Sequence, residues 1–449
     1  MRQKALEFGV RMKSAERSGT DSRLEWIYKL KAERIGVCMK KFLTVILIIA
    51  MVCTITAACS NGGTAKTDAT EAPSEQATEV PTEEPTRVPV DYTEKTYDAA
   101  AVFAAAKVQG RTTLADYTIS KKLGDARGIA LDYTAAAVEF TAYCEGTVTM
   151  ELYTKATAIG GNKMYINVLV DGVSQAEKRT DFLFKSAKVN TVTLAENLER
   201  GFHTFLIERQ TEAERGVMYI NSVTLTGELG EKPADKALFI EIIGDSITTG
   251  YGNLWPDNVD GEKRDSEPSY NMYVDGTRTY GVLAAKALDA DYSVVAQQGI
   301  GCLVGYYSHT MSGTYTNTCY QCGRTEEWSF GRTADVVVIN LGTNDWTFYS
   351  GKATKLTQEE LRKGFCDFIM LVKGKNPGAK VLWCYGMMNT GCEDIIKGAL
   401  EDAGGEAAGC YYQRMSADGS GGNGHPNLEA HIKNAEILEN RLREILNLG

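Results

Sequence analysis

A chain of 449 residues is longer than one ordinary hydrophobic core and suits two domains with additional segments. With 43% hydrophobic and 24% charged residues most of it is expected to be globular, and a formal net charge of −10 argues against nucleic acid as the main partner. Residues 1–41 hold eleven Lys/Arg and five Asp/Glu and residues 42–58 hold none, so the chain from Cys59 onward is more acidic than the whole. That balance suits a soluble extracellular protein and a neutral or cationic substrate.

The N-terminus reads as an address. Met39-Lys40-Lys41 is basic, Phe42–Cys53 (FLTVILIIAMVC) is apolar, and small residues Ala57-Ala58 precede Cys59. This is signal-peptide order, with an apolar run short for a membrane span. The Cys after Ala57-Ala58 resembles a bacterial lipobox. That resemblance implies lipidation of Cys59 and anchoring on the extracellular face of a bacterial cell membrane. Because a complete signal starts at Met39, residues 1–38 read as an over-extended start, and 1–58 are expected to be absent from the mature protein. Residues 59–95, from the lipidated Cys through a stretch rich in Thr, Glu, Ala and Pro (SEQATEVPTEEPTRVP), lack the apolar side chains needed to fold. They read as a disordered tether.

Residues 96–232 read as strands. Ala136–Ala142 (AAVEFTA), Thr147–Tyr153 (TVTMELY), Met164–Val170 (MYINVLV) and Tyr219–Leu225 (YINSVTL) are rich in β-formers, several with alternating polarity, and Asp171-Gly172 is a turn signal. Many short strands with few helical stretches predict an all-β, jelly-roll-like sandwich. After Pro233 the pattern changes. Ala237–Ile243, Ser293–Ala296, Val336–Leu341 and Lys380–Cys384 read as strands. Tyr280–Leu288, Thr357–Val372 and Leu428–Leu446 read as helices, the second with a Thr357/Glu360 capping box. Alternation of this kind predicts an α/β domain over 236–449, with a parallel sheet covered by helices on both faces.

Chemistry concentrates at the carboxyl ends of those strands. Ala237–Ile243 runs into Gly244-Asp245-Ser246, Ser293–Ala296 into Gln297-Gln298-Gly299-Ile300-Gly301, and Val336–Leu341 into Gly342-Thr343-Asn344-Asp345, while Gly424-His425-Pro426 precedes the last helix. Open parallel sheets place their sites at this edge. A Ser hydroxyl there needs a base to become a nucleophile. Of the four His residues, His203 falls in the β domain, His431 on the last helix and His309 in a loop, which leaves His425 as the strongest candidate base. No clustered His/carboxylate set suggests a metal, and no cofactor is expected. Cys319-Tyr320-Gln321-Cys322 is a lone CxxC, read as a local disulfide or two free thiols.

In combination these blocks resemble the SGNH/GDSL hydrolases over roughly 236–449, and a β domain followed by such a domain resembles carbohydrate esterase family 2. The resemblance implies a serine esterase with Ser246 as nucleophile and His425 as general base. The Ser246 N–H, the Gly301 N–H (with Gly299 as the alternative) and the Asn344 amide would form the oxyanion hole. It further implies removal of O-acetyl groups from a plant polysaccharide or oligosaccharide of xylan or mannan type. Esterase action on acetylated cell-wall glycans or small esters, and carbohydrate binding by a decayed hydrolase, are the alternatives. The chain departs from the family at the residue that orients the base. Where relatives carry Asp three or two residues before the His, it has Gly422 and Asn423. Asn423 Oδ1, a backbone carbonyl or Asp418 could take over. Trp346, Tyr306 and Tyr307, next to the motifs, are candidate sugar-stacking residues.

Overall fold

The computed structural model describes residues 89–121, 123–156, 163–175, 182–183, 189–256 and 270–448. Cys59, the signal-like segment and the tether up to residue 88 lie outside them. Residues 87–449 form one compact unit.

Its first half holds strands β1 (Glu94–Asp98), β2 (Lys107–Gln109), β3 (Thr113–Ser120), β4 (Gly124–Leu131), β5 (Ala137–Ala156), β6 (Lys163–Met164), β7 (Ile166–Val170), β8 (Val173–Ser174), β9 (Phe182–Leu183), β10 (Asn190–Arg209) and β11 (Gly216–Leu229), with one helix, α1 (Ala99–Ala105). The described strands are antiparallel, as the alternating pattern predicts. Hydrogen bonding runs through one nine-stranded ladder, in the order β3-β4-β11-β5-β10-β7-β8, with β1 added on β11 and β2 on β5. β6 and β9 pair in a separate two-stranded sheet. The large ladder is continuous through β5 and β10. The two runs expected at 136–142 and 147–153 are parts of a single twenty-residue strand that passes through Gly146, at φ +76°. Its partner β10 is equally long and shifts register three times between Thr193 and Gly201, so both strands serve the whole sheet.

The second half is built on a five-stranded parallel sheet, ordered β13-β12-β16-β17-β18. These strands are β12 (Leu238–Gly244), β13 (Ala290–Ala296), β16 (Val336–Asn340), β17 (Lys380–Tyr385) and β18 (Cys410–Arg414); a small hairpin of β14 (Asn317–Cys319) and β15 (Arg324–Glu327) lies apart. The helices are α2 (Ser246–Thr249), α3 (Tyr280–Ala287), α4 (Met311–Thr314), α5 (Thr343–Ser350), α6 (Gln358–Lys375), α7 (Glu393–Asp402) and α8 (Leu428–Leu446). Strand residues alternate between two cores. Val337, Ile339 and Trp383 pack with Phe365, Phe368 and Ile396 of α6 and α7. Val336, Val338 and Leu382 pack with Tyr280, Val282, Leu438 and Leu442 of α3 and α8. Helix α6 starts on the expected Thr357/Glu360 capping box. The polar edge strand β18 and helix α7, which has no side-chain cap at Cys392, were not expected from the sequence.

The halves meet closely. A Cβ on Gly276 would lie 1.7 Å from Thr134 Oγ1, so the α/β backbone rests directly on a β-domain side chain. Gln210 bridges to Asp275 (3.0 Å) and Asn167 (2.8 Å). Cys319 and Cys322 are free thiols, and Cys322 Sγ donates to Ala213 O across the same junction.

Candidate active site

Ser246 opens a helix of a single turn. Strand β12 ends at Gly244, Asp245 caps the turn by accepting from the Ile247 N–H (3.0 Å), and Gly250 closes it in the left-handed region at φ +79°. Gly244 has no room for a side chain, since a Cβ there would lie 1.9 Å from Thr248 Oγ1. The Ser246 hydroxyl is therefore held at the carboxyl end of the sheet by a tight strand–turn.

His425 reaches it from the other end of the chain. It sits between a short turn, Gly422–Gly424, and helix α8, whose cap Asn427 accepts from the Ala430 N–H at 2.9 Å. The His turn docks on the Ser turn. The Gly422 N–H donates to Gly252 O (3.0 Å), and a Cβ on Gly252 would lie 2.8 Å from Gly422 Cα. The result is a Ser246 Oγ to His425 Nε2 distance of 2.8 Å. The Tyr251 ring lies against the imidazole, 4.6 Å between centroids.

The other imidazole nitrogen fixes the proton. Nδ1 lies 3.0 Å from Gly422 O and 3.3 Å from Asn423 O. Carbonyl oxygens only accept, so Nδ1 carries the hydrogen and Nε2 keeps a lone pair for the Ser hydroxyl. Neither expected side chain faces Nδ1. Asn423, at φ +57°, turns its Nδ2 to the Tyr251 hydroxyl (3.1 Å), and Asp418 accepts from the Ser420 N–H (2.9 Å) and hydroxyl (2.5 Å). The orienting group is thus main chain, one of the three options the sequence left open. A side chain at 422 would be crowded in this arrangement, because a Cβ there would meet Gly252 Cα at 3.1 Å. Asn423→Asp is therefore expected to leave kcat for ester hydrolysis within about threefold of wild type, since the substituted atom bonds Tyr251 and not the imidazole. A tenfold rise in initial rate would show that the side chain does reach Nδ1.

The third block packs beneath the nucleophile. Gly342, at φ +111°, starts α5 and presents Asn344 and Asp345. Asn344 Nδ2 donates to Ile300 O (2.8 Å) and lies 3.4 Å from Asp245 Oδ2. Burial pushes the Asp245 carboxyl up to about 7. Asp345, also fully buried, accepts from three successive N–H groups, those of Cys302 (2.8 Å), Leu303 (2.8 Å) and Val304 (3.1 Å). Burial raises its pKa, while these three bonds pull the other way. The loop they shape has no room for a side chain at Gly301, where a Cβ would lie 1.8 Å from Val304 O. Among the described residues, no acceptor takes the N–H of Ser246, Gly299 or Gly301. Asp345, Tyr251 and Trp255 were not singled out from sequence. Trp255 lies against the His turn, 3.6 Å from where a Gly422 Cβ would stand, and meets Tyr273 edge-on at 4.5 Å.

The expected stacking residues divide. Trp346 is packed inward, against Tyr349 and so close to Gly391 that a Cβ there would come within 1.9 Å of the indole. Trp346 nevertheless keeps part of its surface exposed. Tyr307 is half-buried and stacks on His309 at 5.0 Å, whose Nε2 lies 2.8 Å from Gln297 Oε1. Tyr306 is 67% exposed, with its N–H on Gly299 O (3.0 Å). The other histidines lie apart from the nucleophile: His203 pairs with Asp171, and His431 is buried, its pKa pushed down to about 3 by desolvation. No group of three or more His, Cys, Asp or Glu residues among those described could hold a metal ion.

Comparison with known proteins finds similar domains and folds. Residues 126–233 match the carbohydrate esterase 2 N-terminal model, and residues 240–447 match the GDSL-like lipase/acylhydrolase model. The two matched stretches follow one another along the chain, as the two halves of the fold do. The GDSL-like domain makes the chain a carboxylic ester hydrolase. The cellulase/esterase CelE of Acetivibrio thermocellus is 27% identical over 338 residues, 72% of this chain, and the match spans 38% of that longer relative. An acetylxylan esterase/glucomannan deacetylase of Cellvibrio japonicus is 25% identical over 364 residues, covering 78% of this chain and 92% of the relative. The structure of an acetyl xylan esterase from Butyrivibrio proteoclasticus superposes with a TM-score of 0.65 at 22% identity, over 79% of this chain and 99% of the other. At that identity the superposition speaks for the fold alone.

Proposed function

We propose that this protein removes O-acetyl groups from an acetylated plant polysaccharide of xylan or mannan type, through an acetyl-enzyme on Ser246. The observation that carries the reading is the Ser246 Oγ–His425 Nε2 contact of 2.8 Å, with Nδ1 committed to a carbonyl. The named activities of the two curated relatives support the substrate class. In this mechanism Ser246 Oγ attacks the ester carbonyl as its proton passes to His425 Nε2. The carbonyl π pair moves onto oxygen, which is stabilised by the Ser246 N–H, the Gly301 or Gly299 N–H and the Asn344 amide. Collapse breaks the acyl–oxygen bond, and His425 returns its proton to the departing sugar hydroxyl. Water, deprotonated by His425, then releases acetate from Ser246. The main-chain carbonyls at 422 and 423 hold the imidazole tautomer, so the active pair is a dyad.

Tyr306, exposed beside the oxyanion loop, and Trp255, beside the His turn, are suited to face a sugar ring. Lipidation at Cys59 would hold the enzyme outside the bacterial membrane, where polymeric substrate is accessible. Acetate release from acetylated xylan, acetylated glucomannan and 4-nitrophenyl acetate tests the substrate class. The polymers are expected to be the better substrates by kcat/KM. Activity confined to the small ester would remove the polysaccharide reading, and binding of polymer without turnover would replace it with a carbohydrate-binding protein.

A further inference from the structure

The turn between β10 and β11 has an unusual setting. Connections between antiparallel strands normally lie in solvent, yet Gln210, Thr211, Glu212, Ala213, Glu214 and Arg215 are all buried. The reason is that this β-domain turn is inserted into the hydrolase domain. Ala213 belongs to the same apolar cluster as Ile243, Ile339 and Ile300. The Gly276 N–H donates to Gln210 O at 3.1 Å. The insertion carries two carboxyl groups inward. Burial, and then the neighbouring Glu212 carboxyl, raise the Glu214 pKa. Arg215 lies 3.9 Å from Glu212, and Arg209 donates to the Glu212 main-chain carbonyl.

What the pair holds is Gln298. With its amide turned so that the nitrogen faces the acids, the orientation that satisfies both ends, it donates to Glu212 Oε2 (3.2 Å) and Glu214 Oε1 (2.8 Å), and its main-chain N–H also donates to Glu214. Gln298 immediately precedes Gly299-Ile300-Gly301, whose Ile300 carbonyl receives the Asn344 amide. The loop is thus clamped from two sides, by Asp345 over 302–304 and by the two acids at 298. A donor in an oxyanion hole works only if it is already in place when charge develops.

We propose that Glu212 and Glu214 are positioning residues for ester hydrolysis: the β domain anchors Gln298 through them and thereby holds the oxyanion loop of the other domain. The β domain is then part of the catalytic machinery and not an appended module. This inference rests on the esterase reading for its kinetic arm only.

The test compares Glu214→Ala, Glu214→Gln and Gln298→Ala with wild type in the full chain. Steady-state kinetics on 4-nitrophenyl acetate are combined with amide hydrogen exchange over residues 299–305. Glu214→Ala and Gln298→Ala are each expected to lower kcat about tenfold, with KM within about twofold. The double variant should be no worse than either single one, because both remove one contact. Glu214→Gln keeps a neutral hydrogen-bonding group and should stay within about twofold of wild type. Exchange over 299–305 should accelerate in both Ala variants and not in the Gln variant. Equal impairment of the Gln and Ala variants, or wild-type kcat and exchange in Gln298→Ala, would overturn the proposal. Should the wild type fail to hydrolyse any ester, the esterase reading falls while the exchange arm still decides whether the acids hold the loop. Gln298→Ala leaves the buried acids in place, so it remains informative if Glu214→Ala does not fold.

Discussion

Ser246→Ala is expected to lower kcat for acetate release from acetylated xylan by a factor on the order of 10⁵–10⁶, and His425→Ala to do nearly the same. The double variant should be no slower than either single one, because the two side chains act as one unit. The argument is geometric. Ser246 Oγ and His425 Nε2 lie 2.8 Å apart, and among the histidines His431 is buried behind them, with its Nδ1 accepting from the Tyr280 N–H at 3.2 Å. His309 is tied to Gln297. No second imidazole is therefore positioned to replace His425 among the described residues. Acetylated polymer is the stricter substrate, since an alkoxide leaving group needs the proton that His425 returns, whereas 4-nitrophenolate leaves without one. The asymmetry gives a second readout: His425→Ala should lose more on polymer than on 4-nitrophenyl acetate. If Ser246→Ala keeps a tenth of the wild-type rate on polymer, the nucleophile lies elsewhere.

The same turn explains why the base needs no carboxylate. An Asp partner supplies a charge-assisted bond to the imidazole Nδ1–H and stabilises the imidazolium that forms. Here Gly422 O and Asn423 O supply neutral acceptors at 3.0 and 3.3 Å. They hold the tautomer without adding a charge. The gain is in closeness: with no side chain at 422 and 252, the His turn and the Ser turn approach at main-chain contact.

These features differ in how far the sequence reveals them. The parallel sheet is legible because Val336–Asn340 and Ala237–Ile243 are long apolar runs leading into Gly-containing turns, and buried parallel strands have this composition. The ladder of the β domain is not, since nothing in Thr147–Tyr153 says that it continues through Gly146 into the preceding run. At the site, Ser246 and Asn344 stand out as residue types just after strand ends, and His425 as one just before the last helix. The His orienter does not, because a main-chain carbonyl has no residue type. Its only trace is negative, a Gly where a side chain was expected, and the reading becomes positive once Gly422 is seen pressed on Gly252. Glu212 and Glu214 are more than eighty residues from Gln298 in the chain, and only the insertion of the β10–β11 turn brings them together.

Asn344→Ala is expected to lower kcat by about 10²–10³ with little change in KM, the loss typical of one oxyanion donor. The interpretation needs a control, because Asn344 Nδ2 also bonds Ile300 O and so helps to shape the loop it faces. Asn344→Asp supplies it. The carboxylate is close to Asn in shape but cannot donate, and it places negative charge where the oxyanion forms and beside Asp245. If Asn344 acts on the transition state, the Asp variant should be at least as impaired as the Ala variant, and its deficit should shrink at low pH as the new carboxyl is protonated. If Asn344 only supports the loop, both variants should speed amide exchange over 299–305 and lower kcat by no more than about tenfold. Asp345→Asn separates the two roles from the other side. It weakens the acceptor of the 302–304 N–H groups while leaving the Asn344 amide in place. Its penalty should appear in melting temperature and loop exchange before it appears in kcat, because the donor survives and only its support has been loosened.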